Sequence, residues 1–169
     1  MRKSLARHFL KHSDLYVVCV TFLIAFVLYF YNIKYELIIT IIGLGITISV
    51  NLRQHRIEND KMFKELFENF NSRYDIKFNN KLNEIDAIYK MDKDLEIKEN
   101  DRLLIIDYLN FCSEEYLWYD KGRIPENVWQ SWENGMLYFL NLKPINQIVQ
   151  SQNKQKNSYY GLFEKLGNV

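Results

Sequence analysis

Between Leu15 and Val50 only two side chains, Lys34 and Glu36, carry a formal charge at neutral pH, although the chain has 22 Lys and Arg and 21 Asp and Glu in all. Water solvates so long an apolar stretch poorly, and in lipid only helices and closed barrels satisfy every backbone N–H and C=O. The stretch falls into two runs. LYVVCVTFLIAFVLYFY, Leu15–Tyr31, has no charge over 17 residues. As a helix it spans about 25 Å, near the lower limit for a bilayer core. Tyr16 at one end and Tyr29, Tyr31 and Tyr35 at the other suit the two interfacial belts. ELIITIIGLGITISV, Glu36–Val50, is shorter and more polar, and reaches a spanning length only with Tyr35 and Leu52.

A secretory signal is the rival reading of the first run, because Arg2, Lys3, Arg7 and Lys11 precede it. No small-residue cleavage site follows Tyr31, and a second apolar run begins almost at once. The prediction is therefore a basic N-terminal segment over residues 1–14 and a transmembrane hairpin over residues 15–50, with spans 15–31 and 36–50. Basic residues cluster before the first span and, as Arg53 and Arg56, after the second, while the loop between holds only Lys34. The positive-inside rule then puts both termini in the cytoplasm and a tight turn outside.

The second span carries a polar row. Glu36, Thr40, Gly43, Thr47 and Asn51 recur at helical spacing on one stripe, with Gly45 and Ser49 as a small-residue pair beside it. Small residues let helices approach closely in lipid, or they line water. Packing against the first span, packing between copies of the chain and a pore lining all remain open for this stripe. Each keeps it away from lipid.

Residues 51–169 hold 17 Lys and Arg against 19 Asp and Glu, a net charge of −2. A near-neutral mixture offers no electrostatic funnel for nucleic acid, so none is expected to bind directly. Helical periodicity dominates this region. Met62, Phe63, Leu66, Phe67, Phe70 and Tyr74 form one stripe, and the second span is expected to continue into it as one long helix. Phe78, Leu82, Ile85 and Ile88/Tyr89 repeat the pattern, so a second helix is expected to about Lys90, and Met91–Asp101 reads as a loop or linker. A helix over Leu103–Tyr119 follows, with Asp101 as its N-cap and Gly122 closing it. Pro125 is expected at the first helical position of a helix reaching Asn141, and Pro144 at the start of a shorter one. The polar run Gln150–Asn157 reads as mobile, and Tyr159, Tyr160, Leu162, Phe163 and Leu166 as an amphipathic turn able to dock back. The fold class is all-α: an N-terminal transmembrane hairpin followed by a cytoplasmic helical bundle. Trp118, Trp129 and Trp132 are read as core or oligomer-contact aromatics.

Candidates for chemistry are few. RHFLKH, Arg7–His12, fits the loose R-x₄-H spacing in which a histidine moves a ribose proton and an arginine stabilises the phosphate. Positive-inside charge explains the same residues. Arg53, His55 and Arg56 are equally explained, their functional alternative being a basic ring at an inner pore mouth. Asp107, Glu114 and Glu115 read as solvated or helix-pairing carboxylates. No Walker A loop, nucleotide-binding glycine pattern, Ser/His/Asp arrangement or Cys/His metal spacing occurs, so neither an enzyme nor a cofactor or metal is expected. Cys19 and Cys112 fall in different regions and suggest no disulfide.

DYLNFCSEEYLWYDKGRIPENVWQSWENGM, Asp107–Met136, with SYYGLF near the end, the two spans and the HEPN-like R-x₄-H, resembles the small transmembrane accessory proteins of type VI-B CRISPR systems. The resemblance implies a homo-oligomeric pore in a bacterial inner membrane, working beside an RNA-targeting CRISPR effector to strengthen antiphage defence by depolarising the cell. It leaves subunit number open. Two other readings are a membrane-tethered adaptor that recruits a soluble partner through its Trp-rich face, and a HEPN-type ribonuclease.

Overall fold

A computed structural model describes residues 12–154 and 158–167. Every regular element is helical, and no strand occurs among the described residues. α1 is Ser13–Phe30 and α2 is Tyr35–Arg73. The backbone then widens into a π-helical segment, Tyr74–Asn79, and resumes as α3, Asn80–Met91. α4 is Glu99–Asp120, α5 Glu126–Leu140, α6 Lys143–Asn153 and α7 Leu162–Lys165. Two compact units result, Met1–Lys61 and Met62–Val169, and α2 supplies residues to both.

In the first unit α1 and α2 form a hairpin. The turn passes through Asn32 at φ 52°, a left-handed conformation that asparagine tolerates better than most residues. The Asn32 N–H donates to the Tyr29 carbonyl at 3.1 Å and the Ile33 N–H to Leu28 at 3.2 Å, so the end of α1 is closed by its own chain. Thr21 and Ala25 of α1 and Ile38 and Gly45 of α2 are buried. Phe22, Leu23, Phe26, Phe30, Ile39, Leu44, Ile46 and Ile48 point outward and are exposed. Only 11% of the apolar window of α1 and 6% of that of α2 are buried. Helices from the core of a soluble protein bury such side chains, each for about 1.5–3 kcal/mol. By length, composition and exposure, both helices fit a lipid environment.

The second unit is built on α4. Ile105, Tyr108, Leu109, Phe111 and Cys112 lie on its buried face, and α4 touches α5, α6 and α7. Phe111 meets Phe70 edge-on at 5.7 Å and Phe78 at 5.2 Å, which ties the end of α2 and the π segment to α4. Leu82 and Ile85 of α3 extend the same core. An antiparallel ladder of ion pairs borders it. Arg73 pairs with Glu114 at 2.6 Å, Lys77 with Asp107 at 2.7 Å and Lys81 with Asp101 at 3.1 Å. Exposed pairs of this kind contribute about 0–1 kcal/mol each, so the ladder sets register more than stability.

Several boundaries differ from the sequence reading. α4 begins at Glu99, two residues before Asp101, which lies in its first turn and pairs with Lys81 instead of capping. Pro125 occupies the N-cap of α5, where its extended backbone precedes the helix. α6 runs through Gln150 to Asn153, because Gln152 lies on its buried face and accepts the Tyr159 hydroxyl at 2.9 Å. Residues 155–157 of that polar run lie outside the described residues. Gly122 does close α4, at φ 69°, with the Arg123 N–H donating to Trp118 at 2.9 Å. Tyr159, Leu162 and Phe163 are buried as the docking turn requires, while Tyr160 points outward.

A Cβ on Gly45 would overlap the Thr21 side chain. Gly45→Leu is therefore expected to open the hairpin and lower the melting temperature in detergent by several degrees, whereas Gly43→Ala, with nothing near its Cβ, leaves it unchanged. Burial in the second unit holds the Glu115 carboxyl well above the ordinary value of 4.5, and neighbouring Glu114 adds to the shift while Arg73 opposes it. A raised carboxyl value means that the folded state holds this proton more tightly, so stability falls as pH rises from about 4.5 through the folded value. Denaturant titrations across pH should show that fall, and Glu115→Gln should flatten it.

Candidate assembly surface on the second apolar helix

The approach of the two helices at Gly45 decides which side of α2 faces outward. With about 100° between successive residues, Gly43 and Thr47 project roughly 160° and 200° away from Gly45. The contact with α1 is made by Ile38, Gly45 and Ser49, whose hydroxyl donates to the Asp14 backbone carbonyl at 3.0 Å. Glu36, Thr40, Gly43, Thr47 and Asn51 lie on the opposite side, and all five are exposed. Packing against α1 is thus carried by the Gly45–Ser49 pair, and the polar row has no partner helix among the described residues of the first unit.

The row is smooth rather than demanding of water. Thr40 donates its hydroxyl to the Glu36 carbonyl at 2.7 Å, and Thr47 donates to Gly43 at 2.9 Å. Hydroxyls satisfied within their own helix are compatible with close contact to another helix in lipid. Gly43 lies between them with no atom within 4 Å of a Cβ built on it. The surface is a row of small and hydroxyl groups with a carboxylate at one end and an amide at the other.

Of the three basic residues after the span, Arg53 and His55 are exposed. Arg56 is half-buried and donates to Asp14 Oδ1 at 2.7 Å. It closes the base of the hairpin, so the ring proposed from the sequence retains Arg53 and His55 as its outward-facing members. The sequence reading missed this staple, although its signal was there. Asp14 stands just before the first apolar run and Arg56 just after the second, at matching depth for a hairpin.

The remaining candidates divide between core and surface. Trp129 is fully buried, stacked on Tyr119 at 4.8 Å and tilted against Tyr116 at 5.5 Å. Trp132 is half-buried and stacks on Phe67 at 5.9 Å. Trp118 is half-buried with the Lys121 ammonium over its ring at 5.1 Å. His12 precedes α1, and its carbonyl accepts the Tyr16 N–H at 3.1 Å. Arg7 lies outside the described residues. Asp107 and Glu114 are helix-pairing groups, whereas Glu115 is buried. Cys19 is exposed, Cys112 is buried and both are free. Among the described residues no group of three His, Cys, Asp or Glu comes close enough to hold a metal ion.

The Asp14–Arg56 pair yields a reversible test. Asp14→Arg alone places two cations together and is expected to lower the detergent melting temperature. Adding Arg56→Asp should restore most of the loss, whereas surface charges without a mutual contact would show no such rescue.

Comparison with protein-family models, with curated proteins and with solved structures finds no match to this chain.

Proposed function

We propose that this protein is a homo-oligomeric membrane protein that permeabilises the bilayer. The observation that carries the reading is the exposed row Glu36, Thr40, Gly43, Thr47 and Asn51, on the side of α2 turned away from α1. In a hydrocarbon environment, small and polar groups gain from facing helices or water rather than lipid tails. The chain's own first helix is already engaged at Gly45 and Ser49. A second copy of α2 supplies what the row lacks, and a closed ring of such helices turns the Thr and Gly side toward a shared axis. The short second span suits a ring that thins the local bilayer.

In this reading the spans cross a bacterial inner membrane with both termini in the cytoplasm, so residues 62–169 follow α2 on that side. Arg53 and His55 stand at the inner mouth and disfavour cation passage. The resemblance to type VI-B CRISPR accessory proteins supports a role in antiphage defence, where leakage of the infected cell reinforces an RNA-targeting effector.

Purified protein in detergent should have the mass of a multimer, and proteoliposomes should lose a trapped fluorescent dye. Gly43→Leu with Thr47→Leu is expected to reduce leakage at least about tenfold while the hairpin stays folded, since both positions are exposed and a Cβ at Gly43 meets nothing within 4 Å. A monomeric protein whose vesicles keep their dye would overturn the proposal.

A further inference from the structure

The second unit contains a cavity of about 190 Å³ that the assembly reading does not use. Tyr74, Tyr108, Phe111 and Trp132 wall it with rings, and Glu115 reaches it from α4. Glu115 is only 5% exposed, and burial and the charges of Arg73 and Glu114 act on its carboxyl with no hydrogen bond among them. Its neighbours on α4 and α2 are otherwise occupied. Arg73 pairs with Glu114 at 2.6 Å, and Asn71 donates to the Phe67 carbonyl at 2.8 Å. A largely buried carboxyl with no protein partner calls for one in the cavity that it lines.

Two further features converge on the same place. Gly135 lines the cavity from the interior of α5, where glycine costs a helix about 1 kcal/mol relative to alanine. A Cβ there would meet nothing within 4 Å, so close packing does not require the glycine, and its effect is to keep that wall open. The π-helical segment begins at Tyr74, one of the walls. Such wide turns concentrate at functional sites because they re-aim the side chains around them.

We propose that this cavity binds a small organic cation bearing N–H donors on a flat or apolar body, with Glu115 as its carboxylate partner and the four rings as its walls. Aromatic faces present negative potential, which disfavours a bare carboxylate between them and favours a cation. An amidinium or ammonium resolves both conditions at once, through charge-assisted N–H···O bonds to Glu115 and cation–π contact with the rings. A cavity of about 150 Å³ accommodates benzene, so about 190 Å³ suits a single ring with a cationic head. Burial and Glu114 shift the Glu115 carboxyl well above its ordinary value against the opposing effect of Arg73, which favours the neutral acid, and burial raises Tyr74, Tyr108 and Cys112 above theirs. Binding of the cation favours the carboxylate, so the proton that Glu115 holds is released to solvent, at most one per site.

The site lies within residues 62–169, so its test does not depend on the oligomeric state of the spans. Full-length protein in detergent would be titrated calorimetrically at neutral pH with benzamidinium, benzylammonium and phenylethylammonium, in buffers of differing ionisation enthalpy. At least one cation should saturate one site per chain with release of up to one proton, and neutral benzamide should bind at least about tenfold more weakly. Glu115→Gln should weaken binding about tenfold and abolish proton release, and Gly135→Phe should block it by filling the cavity. Circular dichroism and melting of both variants separate lost binding from lost fold. Failure of all three cations to saturate, equal binding of benzamide, or unchanged binding by both folded variants would refute the proposal.

Discussion

The contact of Gly45 with Thr21 is the constraint on which the first of the two units depends. Thr21 spends its hydroxyl on the Val17 carbonyl at 2.8 Å and offers α2 a compact, apolar-sided knob. Gly45 lets the α2 backbone come down on it, and no residue with a Cβ fits there without overlap. Once that contact is made, helical geometry has no further freedom about which residues point away. Gly43 and Thr47 must lie on the far side, and with them the whole polar row. Ser49 and Arg56, four and eleven residues further along, then fall over Asp14 and lock the base of the hairpin. The outward row is thus a consequence of the inward one.

The second unit follows a different logic, in which an aromatic core is bordered by charge. Arg73, Lys77 and Lys81 are spaced by four residues and find Glu114, Asp107 and Asp101 on α4. Between that ladder and α5, the side chains of Tyr74, Tyr108, Phe111 and Trp132 do not close completely, and Glu115 stands inside. Asp86 shows how the same fold treats a buried carboxylate meant only for structure. It accepts Lys90 Nζ at 2.7 Å and the Tyr138 hydroxyl at 2.8 Å, and the Lys90 hydrogen bond holds it below the usual carboxylate range. Glu115 has no such pair of donors.

Much of the fold was legible because long apolar runs and 3.6-residue periodicity survive almost any tertiary context. The two apolar helices, the long continuation of α2, the stop at Gly122 and the docking of Leu162 and Phe163 all rest on that signal. What escaped depended on pairing between distant positions. Asp101 reads as a cap until Lys81 is seen to claim it, and Gln152 reads as loop until Tyr159 buries it. Glu115 belonged to the periodic face of α4 in the sequence, yet its type argued for solvent. Nothing local distinguishes it from Glu114, which is in fact the one that pairs. The polar row of α2 was visible in outline, but which of two small-residue pairs would meet α1 was decided by the Thr21 side chain on another helix.

The central claim is that the row opposite Gly45 faces another copy of the chain in the membrane. Single cysteines at Thr40 and Thr47, and at Ile46 and Ile48 as lipid-facing neighbours, placed in a Cys19→Ser background and oxidised in native membranes, read that contact directly. Disulfide-linked dimers at Thr40→Cys and Thr47→Cys, with little at Ile46→Cys and Ile48→Cys, are the predicted pattern. Crosslinking strongest at Ile46→Cys and Ile48→Cys, or equal at all four positions, would contradict the account.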